Sequence, residues 1–213
     1  MTGKPRLFGA DYSVYVRIVR LALIEKGVDH ELVPVDVFAP EGLPGWYLDL
    51  QPFGRIPAFA HGDFRLFETT AITRYVDEAF AGPTLQPKEV KLRARMNQIV
   101  AVLDAYAYRT LVWDIYVETV SKPKRGAAVD EAKVAAALPR AATCLAALTR
   151  LKTEGPWLCG EQLTLADLHA APILAYFVKA PQGLALLEQN PQLMDWWRRV
   201  SGRQSFKDTE LLS

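Results

Sequence analysis

The sequence predicts an α/β domain followed by an all-helical domain. Three observations carry that expectation. Residues 1–80 alternate strand-like and helix-like segments, residues 81–87 (Ala-Gly-Pro-Thr-Leu-Gln-Pro) have the composition of a linker, and from residue 89 onward the apolar period is helical. The first strand is expected over Arg6–Gly9. After the polar turn Asp11-Tyr12-Ser13, a helix carries Val16, Val19 and Leu23 on one face and ends at Gly27. Glu31–Val35 reads as a second strand. Pro40, Gly42, Pro44 and Gly45 make the next stretch a loop. Arg55–Ala60 and Phe64–Phe67 flank His61-Gly62-Asp63 and form a hairpin, because glycine supplies the positive φ of a tight turn. A helix with Ala71, Ile72, Tyr75, Val76, Ala79 and Phe80 on one stripe closes the βαβ–ββα order.

Beyond the linker, Met96, Ile99, Val100 and Leu103 recur at helical spacing, as do Val134, Leu138, Ala141, Leu145 and Leu148. Pro139 lies inside the second pattern and is expected to kink or divide that helix. Thr164 and Asp167 have the spacing of a capping box, with Leu163 and Leu168 placed as a hydrophobic staple.

The chain has 213 residues, half of them hydrophobic and 23% charged, with mean hydropathy near zero. This is a globular balance. Twenty-five Lys and Arg against 24 Asp and Glu leave a net charge of +1 without a long single-sign block, so nucleic acid is not an expected partner. The longest uninterrupted apolar run, Ile173–Val178, is far shorter than the ~20 residues that cross a bilayer, so no membrane partner is expected. The N-terminal residues lack the pattern of a secretory signal, which gives a cytoplasmic expectation. Cys144 and Cys159 form no CxxC pair, His30, His61 and His169 lack ligand spacing, and no metal site is expected. GxGxxG, GxxxxGK[ST] and GxSxG are all absent.

Three stretches fall at one edge of the expected sheet. Ser13 lies between a strand end and a helix start, suited either to an anion or to a plain N-cap. Arg55-Ile56-Pro57 enters a strand; with a cis Ile56–Pro57 bond, Ile56 offers its N–H and C=O to an extended peptide, and otherwise Pro57 is an ordinary edge proline. Glu68-Thr69 opens a helix, where Glu68 suits an amine and Thr69 with the helix amides suits a carboxylate.

Leu7-Phe8-Gly9, Ser13 and Arg17, then Gln51-Pro52-Phe53-Gly54-Arg55-Ile56-Pro57-Ala58-Phe59, then Leu66-Phe67-Glu68-Thr69-Thr70-Ala71-Ile72-Thr73-Arg74-Tyr75, and finally Leu163–Asp167 occur in one order. The series resembles the cytosolic glutathione S-transferases, with the Ser-type bacterial and phi/theta-like members nearest in look. The resemblance implies a thioredoxin-like glutathione-binding domain over 1–80, a linker over 81–88 and a helical bundle over 89–213 that contributes an electrophile pocket. It implies a detoxifying transferase with glutathione as co-substrate, a small hydrophobic electrophile as partner, no metal, and a homodimer with Phe53 and residues 69–80 as candidate contacts.

Carried over by position, Ser13 donates to the glutathione sulfur, with Tyr12 and Tyr15 as competing donors. Ile56 and Pro57 pair with the cysteinyl part, Glu68 and Thr69 hold the γ-glutamyl end, and Arg55 reaches the same peptide. Phi-like members place a His-Lys pair on the glycyl carboxylate, whereas Gly42 and Leu43 stand at those positions here. Tyr12, Tyr106, Tyr108, Trp113 and Tyr116 are the expected lining of the electrophile pocket. A non-catalytic module that binds hydrophobic ligands or proteins is the alternative function. A thiol–disulfide oxidoreductase is disfavoured because the first helix opens without cysteine.

Overall fold

The computed structural model describes residues 3–210, which separate into two compact units, residues 3–86 with 204–210 and residues 87–203. The first unit is built on a four-stranded sheet in the order β2-β1-β3-β4, formed by β1 (Arg6–Gly9), β2 (Glu31–Pro34), β3 (Ala58–His61) and β4 (Phe64–Phe67). β1 and β2 are parallel, and the other pairs are antiparallel. Alternation sends Phe8, Ala58 and Ala60 to one face, where they pack with Val35 and Tyr47. Phe59 points to the other face, its ring 6.0 Å from Tyr75 of α3 (Thr69–Ala79). Helix α1 (Val14–Glu25) buries Val16, Val19 and Leu23 as its period requires.

Two local differences from the sequence expectation have physical causes. β3 begins at Ala58, not Arg55, because Pro57 has no N–H for the ladder and follows a cis Ile56–Pro57 bond. Within the expected loop, α2 (Gly45–Leu48) makes a single turn anchored by Tyr47, which is fully buried and donates its hydroxyl to the Arg55 carbonyl at 2.7 Å.

Behind the sheet, Lys26 and Asp77 form a buried ion pair at 3.2 Å. The Lys26 ammonium also donates to the carbonyls of Asp77 and Pro83, while the Asp77 carboxylate accepts from the Leu85 N–H and the Gln86 amide. Residues 83–86 are thereby tied to α1 and α3. Gly82 is required beside this pair: a Cβ there would lie 2.7 Å from the Lys26 carbonyl oxygen. The last described helix, α10 (Gln204–Asp208), belongs to the same unit. Arg17 of α1 is buried, donates to the Phe206 carbonyl at 2.9 Å and to the Thr209 hydroxyl at 3.1 Å, and lies over the Phe206 ring.

The second unit is helical. Helix α4 (Val90–Val102) continues into a π-wound segment, Leu103–Ser121, and a short α5 (Lys122–Lys124). In the π segment Leu103, Ala107, Leu111, Ile115 and Glu118 are buried, which is close to α spacing. Helix α6 (Glu131–Leu151) is not divided by Pro139. That residue is on the exposed face, where water can satisfy the carbonyl its ring leaves without a donor. By length and average composition α6 is also apolar enough to span a bilayer, a property the search for uninterrupted runs does not register. Its stripe of Val134, Ala137, Ala141, Leu145 and Leu148 is buried, and Lys133 and Arg140 are ion-paired to the π segment.

Helix α7 (Leu165–Phe177) starts at the expected capping box. The Asp167 carboxylate is fully buried and accepts from the N–H and hydroxyl of Thr164, the Leu158 N–H and the Trp196 indole of α9 (Pro191–Ser201), all between 2.8 and 2.9 Å. Burial raises its pKa against the pull of those donors. Helix α8 (Pro181–Glu188) starts close against α7, since a Cβ on Gly183 would meet the Phe177 carbonyl at 2.1 Å.

Glu118 sets a pH dependence for this unit. Lys122 and Lys133 donate to its nearly buried carboxylate at 2.6 and 2.7 Å and hold its pKa at about 2. A pKa depressed on folding contributes stability above the unfolded-state value, and that stability is lost as pH falls through the folded value. The melting temperature is therefore expected to fall between about pH 4.5 and about pH 2, and Glu118→Gln is expected to flatten the curve across this window in thermal melts.

Candidate active site

The strand register assembles the site. Phe8 pairs with Ala58, and Ala58 pairs with Phe67, so the C-terminal end of β1, the N-terminal end of β3 and the C-terminal end of β4 lie side by side. Ser13, Ile56-Pro57 and Glu68-Thr69 follow or precede those ends and are gathered at one end of the sheet. Gly9 makes the close approach possible: a Cβ there would lie 2.4 Å from Val16 Cγ2 and 3.3 Å from Ile56 Cβ.

Ser13 is the N-cap of α1, with extended backbone and an Oγ that accepts from the Val16 N–H at 3.4 Å. Capping uses a lone pair and leaves the hydroxyl proton to donate. The helix end behind it contributes positive potential, so the position favours an anion. The N-cap role read from the sequence is thus observed, and it leaves the hydroxyl proton uncommitted to the cap.

Tyr12 has a different commitment. β2 ends beside β1, the Val35 N–H donates to the Gly9 carbonyl, and the next residue, Asp36, accepts the Tyr12 hydroxyl at 2.5 Å. Burial, followed by this bond to a carboxylate, raises the Tyr12 pKa well above that of an ordinary phenol. Asp36 also accepts from the Phe38 N–H at 2.8 Å and is held below the usual carboxylate range, chiefly by Tyr12. Tyr15 is half-buried on α1.

The loop before β3 is braced from within. The buried Gln51 side chain accepts from the Phe53 N–H at 2.7 Å, and Tyr47 holds the Arg55 carbonyl. Arg55 and Phe53 are exposed. Neither the N–H nor the C=O of Ile56 is hydrogen-bonded among the described residues, so both are open to an extended ligand.

Glu68 is the non-glycine residue with positive φ among the described residues, at φ 69° and ψ 114°. That conformation is costly for a residue with a Cβ, and such outliers gather at ligand sites. It turns the chain from β4 into α3 with the Glu68 side chain exposed and Thr69 in the first turn. The Glu68 carboxylate makes no side-chain cap bond. The strain is invisible in the sequence, where Glu68 differs in no way from any first-turn acid.

The remaining aromatic candidates belong to the helical unit. Tyr106 is exposed, Tyr108, Trp113 and Tyr116 are half-buried, and the Tyr116 ring lies 4.7 Å from that of Tyr176 of α7, tilted by 48°. Sequence reading missed Tyr176 because it falls inside the run Ile173–Val178, which registers only as apolar. Cys144 and Cys159 are buried free thiols, and burial pushes Cys159 up to about 12. Among the described residues no group of three His, Cys, Asp or Glu is placed to hold a metal ion.

Comparison with known proteins gives the same outline. Residues 7–84 match the glutathione S-transferase N-terminal domain and residues 107–204 the C-terminal domain. The chain is 32% identical to glutathione S-transferase F10 of Arabidopsis thaliana over 88% of both chains. Among solved structures, glutathione S-transferase III in apo form superposes with a TM-score of 0.84 at 31% identity, over 97% of this chain and 95% of that one. Glutathione S-transferase-I bound with lactoylglutathione gives 0.85 at 26%, over 97% and 98%.

The Tyr12–Asp36 contact has a direct spectroscopic consequence. Asp36→Asn keeps an acceptor and removes the charge, so ultraviolet titration should show the Tyr12 phenol pKa lower than in the unaltered protein. It should stay above the reference value of about 10, because burial persists.

Proposed function

Because the chain belongs to the glutathione S-transferase family and is a glutathione transferase, we propose that Ser13 activates the co-substrate by donating its hydroxyl proton to the sulfur, for attack on an apolar electrophile. The observation that carries the assignment is the pair of hydroxyls at the start of α1. The Ser13 oxygen accepts from Val16 and keeps its proton available, whereas Tyr12 donates to Asp36. The reading is therefore of a Ser-type, phi-like member, and the named relative from Arabidopsis thaliana is a plant protein rather than a bacterial one.

Ile56 pairs its free backbone groups with the cysteinyl residue of glutathione, which brings the sulfur toward Ser13. Glu68 takes the γ-glutamyl amine, Thr69 and the amides opening α3 take the adjacent carboxylate, and Arg55 reaches the same peptide. A thiol with a pKa near 8.5 is mostly protonated at neutral pH. A hydroxyl donor and a helix N-terminus both favour the thiolate, and each unit of pKa depression corresponds to about 1.4 kcal/mol. The thiol proton leaves to solvent, and the sulfur electron pair forms the new bond at the electrophilic carbon while a leaving group departs with its bonding pair or, in an addition, the double bond opens and the neighbouring carbon takes a proton from solvent. Positioning supplies the rest of the rate. Tyr106, Tyr108, Trp113 and Tyr116 supply apolar surface with polar handles for the electrophile. The reaction belongs in the cytoplasm, where glutathione keeps thiols such as Cys144 and Cys159 reduced.

Ser13→Ala should leave the fold and most glutathione affinity intact, raise the pKa of the bound thiol, and lower the rate near neutral pH with partial recovery as pH rises. Thiolate absorbance against pH is the measurement, with Tyr12→Phe and Tyr15→Phe as controls; a shift confined to a tyrosine variant would transfer the role to that residue. The protein is further proposed to be a homodimer. Phe53, 69% exposed, and Trp46, 50% exposed, are large apolar side chains of the kind that mark contact surfaces. Sedimentation equilibrium at micromolar concentration should give twice the chain mass, and Phe53→Ser should shift the equilibrium toward monomer.

A further inference from the structure

The residue before Ser13 is joined to the segment after β2 through a single atom. The Tyr12 hydroxyl donates to Oδ1 of Asp36 at 2.5 Å, and the Phe38 N–H donates to the same oxygen at 2.8 Å. The two aromatic rings that this oxygen ties together are 5.7 Å apart between centroids and 30° from parallel. Behind them the chain is fixed to the sheet, because the Val35 N–H donates to the Gly9 carbonyl at the end of β1. All of these residues belong to the first unit.

Phe38 is 65% exposed, on a stretch without regular structure that contains Pro40 and Gly42. A ring so exposed adds little to a core, and exposed apolar surface held in place beside a site marks a contact for a ligand. Its position follows from the chain. Ser13 is the residue assigned to the sulfur, the electrophile is attacked by that sulfur, and consecutive Cα atoms lie about 3.8 Å apart. The Tyr12–Phe38 pair therefore borders the place where the reacting carbon arrives. A flat ring gains there by offset stacking beyond the area it buries, whereas a saturated group gains by area alone.

We propose that Asp36 is a positioning residue for the second substrate, holding Tyr12 and Phe38 as an aromatic shelf beside Ser13 that selects electrophiles carrying a flat aromatic ring. The assignment rests on the proposed transferase site and names the class of electrophile it takes. Phe38 is the specificity-determining side chain, and Asp36 acts through it and through Tyr12.

The test compares benzylideneacetone with its cyclohexyl counterpart, two enones that share a reacting centre and differ in whether the ring is flat. Asp36→Ala and Phe38→Ala should each lower the aromatic-to-cyclohexyl ratio of kcat/KM by about two- to tenfold. The loss should lie in the KM of the aromatic enone, with the KM of glutathione moving less than twofold. Asp36→Asn keeps an acceptor oxygen with two lone pairs and should retain the ratio of the unaltered protein. An unchanged ratio in the alanine variants, or an asparagine variant as impaired as Asp36→Ala, overturns the proposal. So does a Phe38→Ala protein that sediments at lower mass with its ratio unmoved, since Phe38 would then be a contact between copies. Melting curves check the fold. Should Asp36→Ala fail to fold, Tyr12→Phe cuts the same bond while keeping the ring, and an unmoved ratio in it is equally decisive against the shelf. Failure of the unaltered protein to bind glutathione refutes the transferase site itself. A protein that binds glutathione and shows no preference for the flat ring, as substrate or as competitor, refutes the shelf alone.

Discussion

The pairing of Ala58 with Phe8 on one side and Phe67 on the other is the constraint on which the site depends. A strand has a side-chain period of two, so a slip of one residue on either side would send Ala58 and Ala60 out of the Phe8–Tyr47 cluster and turn Phe59 away from α3. The same slip would separate the end of β1 from the start of β3. Hydrophobic packing on the two faces therefore fixes where Ser13, Ile56 and Glu68 stand relative to one another, although none of the three makes much of the core. Gly9 completes the arrangement, since any side chain there would force α1 and the Ile56 loop apart.

Much of this was legible in the sequence. Apolar periodicity gave the four strands and the helices α1, α3, α4 and α6, but not α8, α9 or α10, and Gly62, with φ of 60°, occupies the turn where a positive φ was needed. Thr164 and Asp167 announced the start of α7 through spacing alone. Long-range pairing was less accessible. Nothing local to Tyr12 shows that its hydroxyl belongs to Asp36, 24 residues away, and nothing local to Glu68 shows a left-handed backbone. The single turn of α2 was hidden by Pro44 and Gly45, which read as loop residues, while its anchor is the burial of Tyr47, a tertiary effect. The intact α6 was hidden in the same way: Pro139 reads as a break, yet the helix runs through it, as α7 runs through the buried Pro172.

The helical unit places its buried charges by another logic. Asp167 is surrounded by donors from a loop, a cap and the Trp196 indole, and Glu118 by two lysines from flanking turns. Removing the Asp167 carboxylate would leave several donors facing an apolar interior, so it fixes the local geometry more than it adds net attraction, whereas the lysines at Glu118 are partly exposed. These carboxylates are structural, and their chemistry is separate from that of Ser13 or Glu68.

The return of α10 to the first unit bears on how the chain is made. A ribosome releases α1 with Arg17 long before it releases Phe206 and Thr209, the groups that accept from that guanidinium. More than a hundred residues of helical unit are synthesised in between, which at ordinary translation speed takes on the order of ten seconds. Throughout that interval the Arg17 guanidinium is without the Phe206 carbonyl and the Thr209 hydroxyl that accept from it in the folded unit. The first unit is therefore incomplete until residues 204–210 have been made, and a chain lacking α10 would lack part of its earlier half.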